Sequence, residues 1–292
     1  MEDSLDRQGG PPPTRVLGPD VPRDAARRAA RPRPPLPREP LPREPLPRSV
    51  AELPTLPIEF QVALDRGLRW LGITLGADTL ATIDAHVRLL LAWNAAFNLT
   101  AITDPALVAT RHVVDSLTAL PLLRGARRLL DLGSGGGFPG LPLAAAVPDS
   151  RVTLVEAVAK KARFLDAAVE ATGLGARVEV RASRGESLRP EGWDVVLARG
   201  VGGLGDLIEL AMPLLEPGGR LLAWKREPIA DELEAARRAA AALGGDIPLV
   251  QSAGPAAEPA ELAGHVLVEV RKAAPTPPGY PRDPGRRRRR PW

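Results

Sequence analysis

The stretch LLDLGSGGGFPGLPLA, Leu129 to Ala144, holds an apolar run, Asp131 and five glycines within sixteen residues. Gly135 to Gly140 fits G-x-G-x-x-G, a loop that lets backbone amides approach the phosphates of a dinucleotide. The acid just before the glycines argues against that ligand. Asp131 ends a short apolar strand, where a pyrophosphate would meet an unpaired carboxylate in a partly desolvated cleft. A cation is favoured there. S-adenosylmethionine carries an ammonium and a sulfonium and no phosphate, and glycines such as Gly133 and Gly135 still allow close backbone approach. Glu156, nineteen residues after Gly137, suits ribose hydroxyls in nicotinamide and adenosylmethionine enzymes alike, so it does not discriminate. The bland alternative is that Asp131 only caps the loop and Glu156 is a surface acid.

Three further groups have the residue types for a site. Ser183-Arg184-Gly185-Glu186 follows the third strand on the adenine side, where Gly185 permits close approach and Glu186 can accept from an amine; otherwise it is a turn. Arg199 ends the fourth strand beside the transferred methyl group, unless it pairs with Asp194 or Glu209 at the surface. Lys160, Lys161 and Arg163 form a local basic patch, either a phosphate contact or a solvated helix face.

The elements that position these residues follow from periodicity. From Ile58 to Leu123 the pattern is helical: Leu80, Ile83, Val87, Leu90 and Leu91 share one face, Asp78 is a candidate cap, and Asp104-Pro105 starts another helix. From Arg127 strands alternate with helices. Strands are predicted at Leu129–Asp131, Val152–Val155, Val178–Val180, Val195–Leu197, Leu221–Trp224, Ile247–Val250 and Val266–Val270. Helices are predicted at Leu141–Val147, from Val158 through Val169, near Leu204–Leu215 and over Asp231–Leu243. The fold class is α/β, a mostly parallel doubly wound sheet with an antiparallel edge hairpin, preceded by a small helical subdomain. The expected divisions are 1–55, a disordered Pro/Arg-rich extension with the repeat LPREP-LPREP-LPR; 56–124, helical; 125–272, the cofactor-binding core; and 273–292, a disordered Arg-rich tail.

Composition narrows the class. There is no cysteine among 292 residues, which removes disulfides, thiolate metal sites and cysteine nucleophiles, including attack on pyrimidine C5. No metal site is expected. The net charge is +4, but residues 1–50 carry ten Arg against seven acids and residues 273–292 carry six Arg against one, so the part between is mildly acidic. The basicity belongs to the ends, and RRRRRPW reads as a flexible basic tail with non-specific affinity for RNA. No signal peptide and no transmembrane run is evident, so a cytoplasmic protein is expected, with no membrane partner.

Taken in order, WNAAFNLTAI (Trp93 to Ile102), RHVVDSL (Arg111 to Leu117), the glycine loop, KKARFL (Lys160 to Leu165), SRGE and LARGVGGL (Leu197 to Leu204) resemble the family of ribosomal RNA small subunit methyltransferase G, also called glucose-inhibited division protein B. The resemblance runs from about Trp70 to Lys272. It implies a class I methyltransferase fold that uses S-adenosylmethionine to methylate guanine N7 in a decoding-side loop of 16S ribosomal RNA, within a small-subunit particle, as a monomer. On matching positions the cofactor would contact Gly133, Phe138, Gly185, Glu186 and Arg199, with Asp131, Gly135 and Glu156 added from the reading above. Arg111, His112, Asp115 and Ser116 would line the same cleft, and Arg199, His112 and Lys225 are the catalytic candidates. The chain departs from the family in two places. Lys225 is followed by Arg226 where glycine is usual, and Gly264-His265 stands where Arg-His is usual.

Guanine N7 has a lone pair and no proton, so its methylation needs in-line geometry rather than a general base. His112 is a candidate for orienting the base. The absence of an (Asn/Asp)-Pro-Pro-(Tyr/Phe) run favours a ring nitrogen over an exocyclic amine. Two other readings stand beside this one: an adenosylmethionine enzyme with a non-RNA substrate, and a non-enzymatic division factor. The loop with Asp131 and Glu156 argues against the second.

Overall fold

The structure is a computed structural model that describes residues 46–190, 192–252 and 259–292, all within one compact unit, Pro42–Trp292. The proline-rich repeat lies outside the described residues up to position 45. The end of the repeat and the residues after it are part of the fold: Trp93 donates its indole N–H to the Pro47 carbonyl at 2.7 Å, and Arg88 donates to the Pro54 and Val50 carbonyls at 2.8 Å each. The extension expected through residue 55 is thus placed against the helices from residue 46, because Arg88 satisfies backbone carbonyls that would otherwise need water.

Three helical runs come first. Helix α1 (Ile58–Leu71) ends at Gly72, whose φ of 64° suits a left-handed C-terminal residue. Helix α2 (Ala77–Phe97) is buried on most sides. Its N-cap is Gly76 rather than Asp78, which sits in the first turn and complements the helix dipole instead. Helix α3 (Pro105–Val108) is capped by Asp104, which accepts from the Leu107 N–H at 2.9 Å, as expected. It passes through a π-turn, Ala109–Val114, into α4 (Asp115–Leu117). The π-turn carries Arg111 and His112. The run Pro105–Leu123 is long and apolar enough to cross a membrane by length and composition, but over half of it is buried within the protein.

The sheet of seven strands comprises β1 (Arg128–Leu132), β2 (Arg151–Val155), β3 (Val178–Arg181), β4 (Trp193–Arg199), β5 (Leu215–Arg226), β6 (Leu249–Ser252) and β7 (His265–Arg271). Their order is β3-β2-β1-β4-β5-β7-β6, with β7 antiparallel to both neighbours and β1 to β5 parallel. The expected edge hairpin is this β6–β7 pair. Helices α5 (Gly140–Ala146) and α6 (Ala159–Ala171) cover one face, and α7 (Leu204–Ala211) and α8 (Ala230–Leu243) the other. The N-terminal helices keep no core of their own. Phe60, Trp93 and Val113 join Leu129, Phe164 and Leu197 in one apolar cluster, so the expected subdomain is a third layer on the α5/α6 face.

The C-terminal segment is also part of the body. Helix α9 (Pro284–Arg289) is capped by Asp283, which accepts from the Arg286 N–H at 3.0 Å. Upstream, Arg282 grips Glu209 of α7 with Nη2 to Oε2 at 2.6 Å, and the Trp292 indole donates to the same carboxylate at 2.7 Å. The tail expected to be disordered is therefore docked. A buried acid on α7 holds it, and composition carries no sign of that acid.

Candidate active site

A cavity of about 1150 Å³ opens over the carboxyl ends of the parallel strands. It sits where the strand order reverses, between β1 and β4, the position at which open α/β sheets bind ligands. Gly133, Phe138, Glu156, Gly185, Arg199 and Lys225 all reach its wall. Single cofactor pockets are typically ~300–1,000 Å³, so this one has space for a second group beside a cofactor.

The glycine loop is held from both sides. Gly133 has φ 74°, and a Cβ there would fall 2.4 Å from Val201 Cγ1. Glu156, buried at the end of β2, accepts from the Gly135 N–H at 3.0 Å and from the Val158 N–H at 2.7 Å. A carboxylate has about four lone-pair sites, so two remain for hydroxyls. From α2, His86 donates Nε2–H to the Gly136 carbonyl at 2.8 Å, and burial lowers its pKa to about 4. His86 was not singled out from the sequence. The signal was there: a polar residue at helical spacing among Ile83, Val87 and Leu90.

Asp131 does not meet the cavity. It is fully buried beneath the loop, where Oδ2 accepts from the Gly140 N–H at 3.1 Å and Oδ1 has no hydrogen-bond partner. Burial pushes its pKa up to about 7. A carboxylate in that position fastens the loop to the start of α5, so the cation argument from Asp131 fails and its capping alternative is correct. Gly140 is required for the fit, because a Cβ there would lie 2.6 Å from Asp131 Oδ2.

Across the cavity an ionic network joins three elements. Arg199, last residue of β4, donates Nη1–H to Asp115 Oδ2 at 3.0 Å and to the Arg111 carbonyl at 2.9 Å. Its Nη2 donates to His112 Nδ1 at 3.0 Å. With Nδ1 accepting, the proton of His112 is on Nε2, which donates to Thr100 Oγ1 at 2.8 Å. Burial, then the Arg199 charge, lower the His112 pKa to about 3. The guanidinium carbon stands 5.4 Å from the centre of the Phe138 ring, and His112 stacks on that ring at 4.7 Å. His265 of β7 completes the set, donating Nδ1–H to Asp115 Oδ1 at 3.1 Å. The surface alternatives for Arg199 are occupied: Asp194 accepts from the Arg127 and Arg128 amides and Glu209 binds Arg282.

Other candidates are placed differently from expectation. Ser116 is buried and donates to the His112 carbonyl at 2.6 Å, away from the cavity. Lys225 reaches the wall but donates to Glu232 at 2.6 Å and to the Gly202 carbonyl at 2.8 Å, which ties the loop after β4 to α8. Of the basic patch only Lys161 reaches the cavity; Lys160 lies over the Phe97 ring and Arg163 is exposed. Glu186 lies beside Gly185 and is ion-paired with Arg287 of α9, a partner outside the sequence reading. The two departures from the family pattern are neighbours: Arg226 pairs with His265 across β5 and β7, and a Cβ at Gly264 would lie 4.0 Å from Arg226 Cγ.

The family model described as rRNA small subunit methyltransferase G matches residues 79–256. Among curated proteins, the Ribosomal RNA small subunit methyltransferase G of Roseiflexus castenholzii is 46% identical over 210 residues, covering 68% of this chain and 86% of that protein. That of Chloroflexus aggregans is 42% identical over 229 residues, covering 75% of this chain and 93% of that protein. Among solved structures, the S-adenosylmethionine-dependent methyltransferase SibL, in its apo form, aligns with a TM-score of 0.50 at 18% identity, covering 73% of this chain and 75% of that one. At that identity the likeness concerns the fold. The chain belongs to the ribosomal RNA small subunit methyltransferase G family and is an S-adenosylmethionine-dependent methyltransferase.

Proposed function

We propose that this enzyme methylates N7 of a guanine in 16S ribosomal RNA of the small subunit. Family membership supports the RNA, and the state of His112 carries the choice of atom. Its Nδ1 lone pair is occupied by Arg199 and its Nε2 proton by Thr100, so it does not take a proton from an acceptor. Guanine N7 has no proton to give up. A nucleophile with a free lone pair needs only to be held ~3–3.5 Å from the methyl carbon and in line with the breaking bond.

The residues present fit the cofactor. Gly133 and Gly185 leave room at the wall for its two ends, and Glu156 has acceptor capacity left for ribose hydroxyls. When bound, S-adenosylmethionine supplies an electrophilic methyl on a positively charged sulfur. Transfer of that methyl to the N7 lone pair, with the C–S pair left on sulfur, would leave the product base positively charged. Arg199 is compatible with a cationic product because Asp115 offsets its charge and its Nη2 is spent on His112. Phe138, braced by His112 and Arg199, gives the cavity an apolar wall. His265 borders the same cavity from β7, beside Asp115.

The test uses labelled S-adenosylmethionine and small-subunit particles from cells lacking this methylation. Borohydride followed by aniline breaks RNA at 7-methylguanine, and one break in a single loop of 16S RNA is expected. Label confined to protein, or RNA label that resists cleavage, contradicts the reading.

A further inference from the structure

Glu209 has no exposure in the folded chain, yet it accepts from the Arg282 backbone N–H at 2.6 Å, from Arg282 Nε and Nη2, and from the Trp292 indole. Burial alone would raise its pKa; the Arg282 guanidinium and the indole hold it below the ordinary carboxylate range. Gly205, one turn earlier on α7, is the seat of Trp292: a Cβ there would lie 2.7 Å from Trp292 Cβ. Arg287 adds the contact to Glu186, and Tyr280 stacks on Trp292 with ring centres 6.2 Å apart. The body of the protein is thus shaped to hold this segment in one place. That place is the rim of the cavity, where Pro284, Arg287, Arg288 and Pro291 form part of the lining. The segment lies beyond the residues that the family model matches.

We propose that residues 280–292 form a pinned basic arm that grips phosphates of the substrate RNA at the cavity mouth, a proposal that rests on the RNA reading above. Arg286, Arg288, Arg289 and Arg290 are all exposed, and Arg288 and Arg290 make no ion pair among the described residues. The cofactor has no phosphate and a net positive charge at neutral pH, so a cluster of guanidinium groups beside its cleft serves another ligand. A guanidinium fork matches a phosphate in charge and geometry. The residues between the two ends carry a net negative charge, and the arm places concentrated positive charge at the mouth of the cavity. A membrane surface is the poorer partner. The exposed large apolar residues, Ile58, Val62, Val158, Ile247, Leu249 and Val250, all lie elsewhere in the described chain, and a helix lying in a membrane interface needs an apolar face.

Two variants test the arm. Arg288→Ala/Arg289→Ala/Arg290→Ala removes charge from the exposed side and keeps every anchor. Its KM for small-subunit RNA is expected to rise about tenfold at ~0.15 M salt, while kcat and cofactor Kd stay within about twofold. The slope of log affinity against log salt is expected to fall by about 2–3, roughly 0.9 per lost phosphate contact. Gly205→Leu keeps every arginine but fills the Trp292 seat, and its KM should also rise several-fold. An unchanged KM and salt slope in the triple variant would overturn the arm while leaving methyl transfer intact. A Gly205→Leu protein with wild-type KM would overturn the pinning. Loss of binding to phosphatidylglycerol vesicles with unchanged RNA kinetics would overturn the choice of partner. A wild-type protein that methylates no ribosomal RNA would overturn both this proposal and the reading beneath it.

Discussion

Arg199 donates from Nη2 to Nδ1 of His112 at 3.0 Å, and this contact determines what both residues can do. Burial keeps the imidazole unprotonated and the Arg199 charge adds to that, while the contact sets the tautomer and holds the guanidinium across Phe138 at the end of β4. The same guanidinium neutralises Asp115, which is almost completely buried.

Removing that guanidinium should therefore cost stability as well as activity. Arg199→Ala leaves Asp115 buried beside His265 alone, and breaking a buried pair from one side costs about 3–5 kcal/mol. Urea unfolding should show a loss of that order, with a smaller loss for Arg199→Lys, which keeps the charge but lacks the fork that spans Asp115, the Arg111 carbonyl and His112. Equal stability of wild type and Arg199→Ala would mean the network is not what holds β4 to the π-turn.

Stability should also depend on pH in a predictable direction. His86 and His112, with pKa values near 4 and 3, are unprotonated when folded but protonated when unfolded below 6.5, so they lose stability as pH falls below that value. Asp131 acts oppositely. With a folded pKa near 7 against 3.8, it keeps a proton that the unfolded chain has lost, and this contribution disappears as pH rises toward 7. Between about pH 4 and 6.5 two histidines outweigh one aspartate, so stability should rise by about 1.4 kcal/mol per pH unit from these groups. Asp131→Asn removes the opposing group and should roughly double that slope. Urea midpoints across this pH range would check both values.

Gly133 makes a sharper local prediction. Its φ of 74° and the 2.4 Å approach of a Cβ to Val201 mean that Gly133→Ala must shift either the loop or Val201. Strain of this kind costs about 1–3 kcal/mol. Both segments border the cavity, so S-adenosylmethionine affinity measured by calorimetry should fall about tenfold or more. Wild-type affinity would show that the loop yields without disturbing the site.

Truncation before Tyr280 should destabilise the protein by about 1–3 kcal/mol, because Glu209 loses its charge-assisted hydrogen bonds to Arg282 and Trp292 and the surface of α7 they cover is opened to water. Replacing Arg288, Arg289 and Arg290 with alanine should leave the melting temperature unchanged. Equal effects of the two changes would mean that the anchor and the exposed charges are not separate.

Much of the fold was legible in the sequence, because strands and helices alternate with clear apolar patterns and Asp104-Pro105 marks a helix start by local chemistry. The cavity-facing glycines, Glu156 and Arg199 were legible for the same reason: a loop or residue at a strand's carboxyl end has one place to be, whereas Phe138 came only with the family resemblance. What pairs with what was not. Asp131 carries the right charge beside the right loop, but the pleat turns it under the glycines, and nothing local distinguishes the two sides of a strand buried on both faces. Lys225, a catalytic candidate by position, has the geometry of a strut to Glu232. The C-terminal segment read as a free tail because Glu209, the acid that docks Arg282 and Trp292, lies 73 residues before Arg282 inside an apolar helix face. Long-range pairing of this kind leaves no periodic trace.

The most direct measurement is the identity of the methylated nucleoside. Small-subunit RNA labelled by this enzyme would be digested to nucleosides and resolved by mass spectrometry beside authentic standards. The label is predicted to appear as 7-methylguanosine, in one equivalent per particle. Label in an N2-methylated or O-methylated nucleoside, or in no nucleoside at all, would contradict the account.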